Sequence, residues 1–387
     1  MRVKEDGETP CARFECPRCH HSDYRMSTAS PGEETRERCP RCGALLTVTG
    51  RAIPGWLSFV LGEIGKCCEV EDFVAREDRM EFEVCPAPSK SFFLRFLKKL
   101  RERGYICAVR TVDGSSRLYV VRAQRPQRGR LSLSFGLLAA TALSTFLAGR
   151  YLLFGSTSMG ILFSFAIISM LGAHELAHML AARKHGIRTS PPFFIPFPSA
   201  LGTMGAIIEM RDPPPSRDAM VEVGSAGPIA GFILAVVFLT AGLIISSPAE
   251  EGGLYLSPLL FVFLRRLLGL PQSLNLHPFA YAGWVMLVVT MLNLMPLGQF
   301  DGGHVARAVL GPEGHFRLTR SLSLFLFLTG FVFPELPFWV WGFLAFVLFS
   351  REHPGPLDDV SPIGRAAKVR AALCLLIFIL CLPTPGW

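Results

Sequence analysis

Charge is scarce in most of this chain. Only 18% of its 387 residues are Asp, Glu, Lys or Arg, while half are hydrophobic. The shortage is local. Residues 1–130 hold 24 of the 39 Lys and Arg and 18 of the 31 Asp and Glu; residues 131–387 hold the other 15 and 13. So few charges over so long a stretch exclude an ordinary soluble domain and imply a water-soluble head followed by a membrane-embedded body. The opening MRVKEDGETPC has no apolar core and no cleavage motif, so no signal peptide is expected there. The head's net charge of +6 (24 − 18) stands next to a membrane segment, where basic residues mark the cytoplasmic side, and needs no nucleic-acid partner to account for it.

Apolar stretches of near-spanning length lie near 132–153, 158–182, 219–246, 279–297, 319–333, 338–350 and 370–384. The two near 319–350 are short and joined by PELP, which suits a hairpin. LSPLLFVFLRRLLGL, 256–270, is short and carries Arg265 and Arg266, so an interfacial helix is expected. Basic residues at 122–130, after the second stretch and before the last one orient the set, with the head in the cytoplasm.

Eleven cysteines divide into a pattern and a remainder. Cys16-Pro-Arg-Cys19 recurs as Cys39-Pro-Arg-Cys42, and two such knuckles at this spacing read as a four-thiolate structural zinc site. Two short disulfides or a redox pair are the alternative. His20 and His21 adjoin a site that four cysteines already fill. Cys11, Cys67, Cys68, Cys85, Cys107, Cys374 and Cys381 have no ligand spacing and read as buried apolar residues or free thiols. A thiolate site suits a reducing compartment. Three domains are expected: a zinc-ribbon-like 1–50, a small cytoplasmic α/β unit with a basic linker over 51–130, and a membrane domain over 131–387. Within the second, RMEFEV alternates like a strand. SKSFFLRFLKKLRERG has one apolar helical face, and YICAVRTVDGSSRLYVV turns at Asp113-Gly114 as a hairpin. A regulatory partner could bind this unit, or it could be a spacer.

The chemistry concentrates at GAHELAHMLAARKHG, 172–186, which follows fifteen uncharged residues. His174 and His178 are one helical turn apart on one face, a spacing that lets both bind one zinc while Glu175 stays near as a proton acceptor. Ionisable groups at the end of an apolar span point to a functional interior site. A catalytic zinc needs a third protein ligand and an open position. NLMPLGQFDGGHVA, 293–306, offers Asp301, with His304 as the alternative and His185 as a poorer one. Asp301 could equally cap the helix that follows it. Pro296 breaks the fourth stretch and frees backbone to line a cavity. Asn293 could donate to a developing oxyanion or make an interhelical hydrogen bond.

HELAH on one span and NLMPLGQFDGGH some 120 residues later resemble the site-2 protease family of intramembrane zinc metalloproteases. GSAGPIAG, 224–231, is similar to that family's Gly-Pro stretch, and PPFFIPFPSALGTMGAIIEM, 191–210, to its re-entrant loop. HPGPLDDVSP, 353–362, adds weaker support. The resemblance implies an α-helical polytopic membrane protein of about six transmembrane helices plus a re-entrant loop. It makes Asp301 the third ligand and Glu175 the general base. It also implies cleavage of membrane-protein substrates in a lipid bilayer, with an extended substrate adding to a strand edge around Gly202, Thr203 and Gly205. One catalytic and one structural zinc are expected. A membrane metal-binding or transport protein, or a catalytically inactive scaffold of the same fold, is the competing reading.

Overall fold

The computed structural model describes residues 11–19, 22–26, 34–39, 41–51, 54–76, 78–123, 131–249, 256–332, 338–348 and 353–385. His20, His21, most of the 122–130 linker and PELP lie outside them. The chain divides into two compact units. One holds residues 1–126 with 356–362, and the other 127–355 with 363–387.

The first unit is built on alternation. In β6 (Arg79–Cys85) Met80, Phe82 and Val84 point into the core while their neighbours do not. The unit contains β1 (Cys11–Glu15), β2 (Ser22–Met26), β3 (Glu34–Arg38), β4 (Leu45–Arg51), α1 (Gly55–Ile64), β5 (Glu69–Ala75), β6, α2 (Lys90–Glu102), β7 (Tyr105–Val112) and β8 (Ser115–Arg122). The strands form one antiparallel sheet in the order β3-β4-β1-β2-β5-β6-β8-β7, so the knuckle hairpins and the α/β strands share a sheet. Ser89 caps α2, its Oγ accepting the Phe92 N–H at 3.4 Å. Phe93, Phe96, Leu97 and Leu100 bury the apolar face read from the sequence. Asp113 and Gly114 both take positive φ, 51° and 83°, the turn that a tight hairpin needs. β7 is the sheet's last strand, and the 356–362 segment joins it. Val109 N–H donates to Leu357 O at 2.9 Å, and Arg110 Nη1 donates to the same oxygen at 2.8 Å.

In the second unit, α3 (Leu131–Leu147) continues in wider π-helical turns to Phe154, and α4 spans Thr157–Lys184. A two-stranded hairpin, β9 (Phe193–Pro196) and β10 (Thr203–Ile207), follows in the region read as a re-entrant loop. Then come α5 (Arg217–Ile244), α6 (Leu259–Leu267), α7 (Pro278–Leu294), α8 (Asp301–Val332), α9 (Phe338–Leu348) and α10 (Arg365–Cys381). Among the described residues three segments are long and apolar enough to cross a membrane: 131–154, 157–184 and 217–244. α7 has 17 residues against the 19 of its apolar stretch, with Pro296 shortly after its end; α10 has 17, beginning five residues before the stretch read there and ending three before its end; and α9 is described over 11. α6 has nine residues, roughly 14 Å at 1.5 Å per residue, too short for a bilayer core of about 30 Å. The helix expected after Asp301 runs on through RAVLGPEGHFRLTR as α8, which breaks only at Gly311 (φ 76°) before Pro312.

Small residues set how closely these helices approach. A Cβ on Gly242 of α5 would lie 2.6 Å from Ala280 Cα on α7, and one on Gly283 of α7 would lie 2.8 Å from Leu239 N on α5. Gly242→Val should therefore force α5 from α7 and destabilise the fold by roughly 1–3 kcal/mol or more. Gly136→Val on α3, where a Cβ meets open space, should not. Thermal unfolding in detergent tests this; equal midpoints for the two variants would refute the packing argument.

Candidate metal centre

α4 places His174 and His178 one turn apart, and both side chains are buried. Their Nε2 atoms are 3.1 Å apart. Asp301, the first residue of α8, brings Oδ2 to 3.2 Å from each. The turn before α8 makes this possible. Leu297 accepts the Phe300 N–H, and Gly302 and Gly303 press against the carbonyls of Leu294 and Gly298, where no Cβ fits. Asp301 thus directs its carboxylate at the histidines from the first turn of its helix.

Three such atoms cannot face each other alone. His178 Nδ1 donates to Val223 O at 2.7 Å, which leaves the Nε2 lone pair pointing at the cluster. An ionised carboxylate only accepts. A positive charge must sit between them. Ligand atoms about 2 Å from one tetrahedral ion lie roughly 3.3 Å apart, so the observed spacing fits zinc. His174 Nδ1 is buried and finds no acceptor among the described residues. Gly227 of α5 is the close wall: a Cβ there would overlap His178 Nε2 and lie 2.8 Å from His174 Cδ2.

The cluster opens into a cavity of about 210 Å³, lined also by Glu175, Ala206, Ile207, Ile208, Asn293, Gln299 and His304. Glu175 and Asn293 therefore join the ligand set at one site. Gly202, Thr203 and Gly205 do not line it. Gly202, with φ 75°, packs its Cα on the α3 backbone at Ser144 and Thr145, and the Thr203 hydroxyl donates to Ile195 O, so they shape the hairpin. The hairpin's cavity wall is Ala206–Ile208, one step further along the chain. His304 is not in the ligand cluster. Neither is His185, which pairs with Glu222 at 2.9 Å. Gln299 is a lining residue that the sequence reading passed over, although it lies inside the quoted 293–306 run.

In the head, Cys16 Sγ and Cys42 Sγ are 3.6 Å apart, and Cys19 Sγ and Cys39 Sγ 3.7 Å. These spacings are far from the ~2.05 Å of a disulfide and close to the roughly 3.8 Å between thiolates that share a zinc at about 2.3 Å. Desolvation pushes the Cys39 thiol up, but backbone N–H groups of Cys42 and Arg41 outweigh it and bring it down to about 6, so it is a thiolate at neutral pH. Cys68 behaves oppositely: burial, then neighbouring thiols, push it up to about 12.

With this geometry in view, comparison with known proteins is informative. Residues 162–333 match peptidase family M50. The chain is 30% identical over 239 residues to the probable zinc metalloprotease EGY2, chloroplastic, of Oryza sativa subsp. indica, covering 58% of this chain and 43% of that protein. It is 31% identical over 238 residues to the probable zinc metalloprotease EGY1, chloroplastic, of Arabidopsis thaliana, covering 58% and 42%. The chain thus spans less than half the length of these relatives.

Because Gly227 is the wall, Gly227→Ala should lower the zinc held by purified protein by about one ion per chain, while Gly62→Ala in the head, with open space at its Cβ, should not. Elemental analysis reads this, and full zinc in Gly227→Ala would refute the placement.

Proposed function

We propose that this chain, which carries a peptidase family M50 domain, is an intramembrane zinc metalloprotease that hydrolyses peptide bonds within or beside transmembrane segments of other membrane proteins. The observation that supports this best is the convergence of His174, His178 and Asp301 with Glu175 in one cavity on a helix apolar enough to span. The relatives' description as probable zinc metalloproteases agrees with it. His174, His178 and Asp301 would hold the catalytic zinc, and Cys16, Cys19, Cys39 and Cys42 a structural one.

A bound zinc supplies Lewis acidity to the scissile carbonyl and to water. The chain's residues do the rest. Glu175 takes a proton from the attacking water as its oxygen bonds to the carbonyl carbon. The carbon–nitrogen bond then breaks, and Glu175 passes that proton to the leaving amine, giving one new carboxyl and one new amine. Asn293 offers an amide donor to the oxygen that gains negative charge. A substrate must be extended to expose its carbonyl. β10 pairs with β9 on one side only among the described strands, so its other edge can take a substrate strand, and its Ala206 and Ile207 line the same cavity as the metal ligands. About six spans, with the head, the end of the HELAH helix and the start of the DGGH helix in the cytoplasm, complete the reading.

Two tests follow. The full chain in liposomes, with a fluorophore-labelled Leu/Ala transmembrane peptide interrupted by Gly-Pro, should cleave the peptide. Glu175→Gln should keep its zinc and lose about 10²–10⁴ in rate, whereas Asp301→Asn should lose zinc as well. Full activity in Glu175→Gln would end the assignment. For topology, single cysteines introduced as Arg183→Cys and Lys368→Cys, both exposed, should label only from the cytoplasmic side, and Ser247→Cys only from the other. Opposite labelling of the first two would break the arrangement.

A further inference from the structure

His304 lines the cavity yet is not a ligand, and its ring is held in an unusual way. Its Nδ1 lies 2.9 Å from Nε2 of His353, a buried residue 49 positions later. His353 Nδ1 in turn faces the backbone N–H of Gly355 at 3.1 Å. A backbone N–H can only donate, so His353 Nδ1 carries a lone pair and its proton is on Nε2. That proton points at His304 Nδ1, which must accept it. The proton of neutral His304 is therefore on Nε2. The chain Gly355 → His353 → His304 fixes one tautomer. His304 Nε2 has no partner among the described residues, and the ring faces a cavity that holds the metal ligands, Glu175 and Asn293.

The support for His353 is itself enforced. Arg307, buried, donates from Nε to the His353 carbonyl at 3.4 Å. Gly355 has φ 69°, and a Cβ there would overlap the Arg307 guanidinium. His315 packs its ring edge-on against His353, with centroids 5.6 Å apart. Burial, with His304, His315 and Arg307 close by, holds the His353 imidazole down at about 3, so it stays neutral.

We propose that His304 is a catalytic hydrogen-bond donor, its Nε2–H directed at the scissile carbonyl oxygen as that oxygen becomes negative, and that His353 is the positioning residue that sets this tautomer. The proposal rests on the protease reading above. It gives the site a second donor beside Asn293, from a ring that cannot turn its lone pair to the substrate without breaking two hydrogen bonds. No covalent step is added to the hydrolysis already described.

The test uses the full zinc-loaded chain with ¹³C,¹⁵N-labelled histidine in detergent, and the liposome assay with the Gly-Pro peptide. NMR should show His304, assigned by the signals lost in His304→Gln, as the Nε2–H tautomer, and His353→Leu should release it into a mixture. His304→Phe should keep two zincs and lose about 10²–10³ in kcat, the usual effect of removing one such donor. His304→Gln, which keeps an N–H at similar reach, should recover much of that loss. His353→Leu should lower kcat by about 10–100-fold with KM unchanged, and His353→Gln, whose amide can donate and accept, should restore it. An Nδ1–H tautomer at His304, or wild-type kcat in His304→Phe, would overturn the proposal. Loss of zinc in both His304 variants would also overturn it, making His304 a support of the ligands. A wild-type chain that cleaves nothing would end the protease reading, and the NMR result would still decide whether His353 sets His304.

Discussion

Everything at the centre depends on the contact between α4 and Gly227 of α5. Two imidazole nitrogens and a carboxylate oxygen meet within 3.1–3.2 Å inside an apolar body. Such a cluster is repulsive unless a cation or proton occupies it, and the lone pair imposed on His178 by Val223 O leaves the cation as the better occupant. The histidines can only occupy this position because the facing helix has no side chain there. The same economy recurs at Gly302 and Gly303, where backbone rests on backbone so that Asp301 arrives from a second helix. Charge in hydrocarbon is costly, and the fold offsets that cost by bringing all of it to one point.

That arrangement explains why the cavity chemistry is held by rigid elements. His174, Glu175 and His178 sit within a 28-residue helix, and Asp301 and His304 within the first turn of another. β10 and the 353–355 loop bring irregular or extended backbone beside these helices. The hairpin can present an edge to a substrate, whereas the loop ends in a glycine whose backbone N–H is committed to His353. One irregular segment is open for binding and the other is closed by its hydrogen bonds. This division suits a site that must admit a substrate strand without losing its geometry.

Much of the site was legible in the sequence because its logic is local. His174 and His178 are four apart, and helical periodicity alone puts them on one face. The cysteine knuckles carry their own turns, and Asp301 lies in a run whose glycines announce close approach. The head's α2 face and the Asp113-Gly114 hairpin are equally local. What was less legible depends on how distant segments meet. Gly202, Thr203 and Gly205 belong to the hairpin, Thr203 and Gly205 on β10 itself, while the cavity wall falls one step later at Ala206–Ile208. The helix after Asp301 and the apolar stretch near 319–333 were legible separately, but not that they run on as one element interrupted only at Gly311. The merging of knuckle strands and α/β strands into one sheet is a matter of pairing between distant segments, which no spacing encodes.

His353 is the sharpest case. In the sequence it is one histidine in a proline- and glycine-containing stretch, and nothing links it to His304, 49 residues earlier. What makes it informative is a proton count, and that count needs distances. Once Gly355 is seen to donate to Nδ1, the tautomers of two rings follow without further assumption. A lone histidine near a metal motif reads naturally as a spare ligand, since imidazole is a common zinc ligand. The structure separates the two roles by which nitrogen is engaged: His174 and His178 bring Nε2 to the cluster, while His304 has Nδ1 occupied by a donor and Nε2–H left toward the cavity. A ring in that state cannot bind a metal through either nitrogen, but it can donate a hydrogen bond to an oxygen that a metal-ligand site would activate.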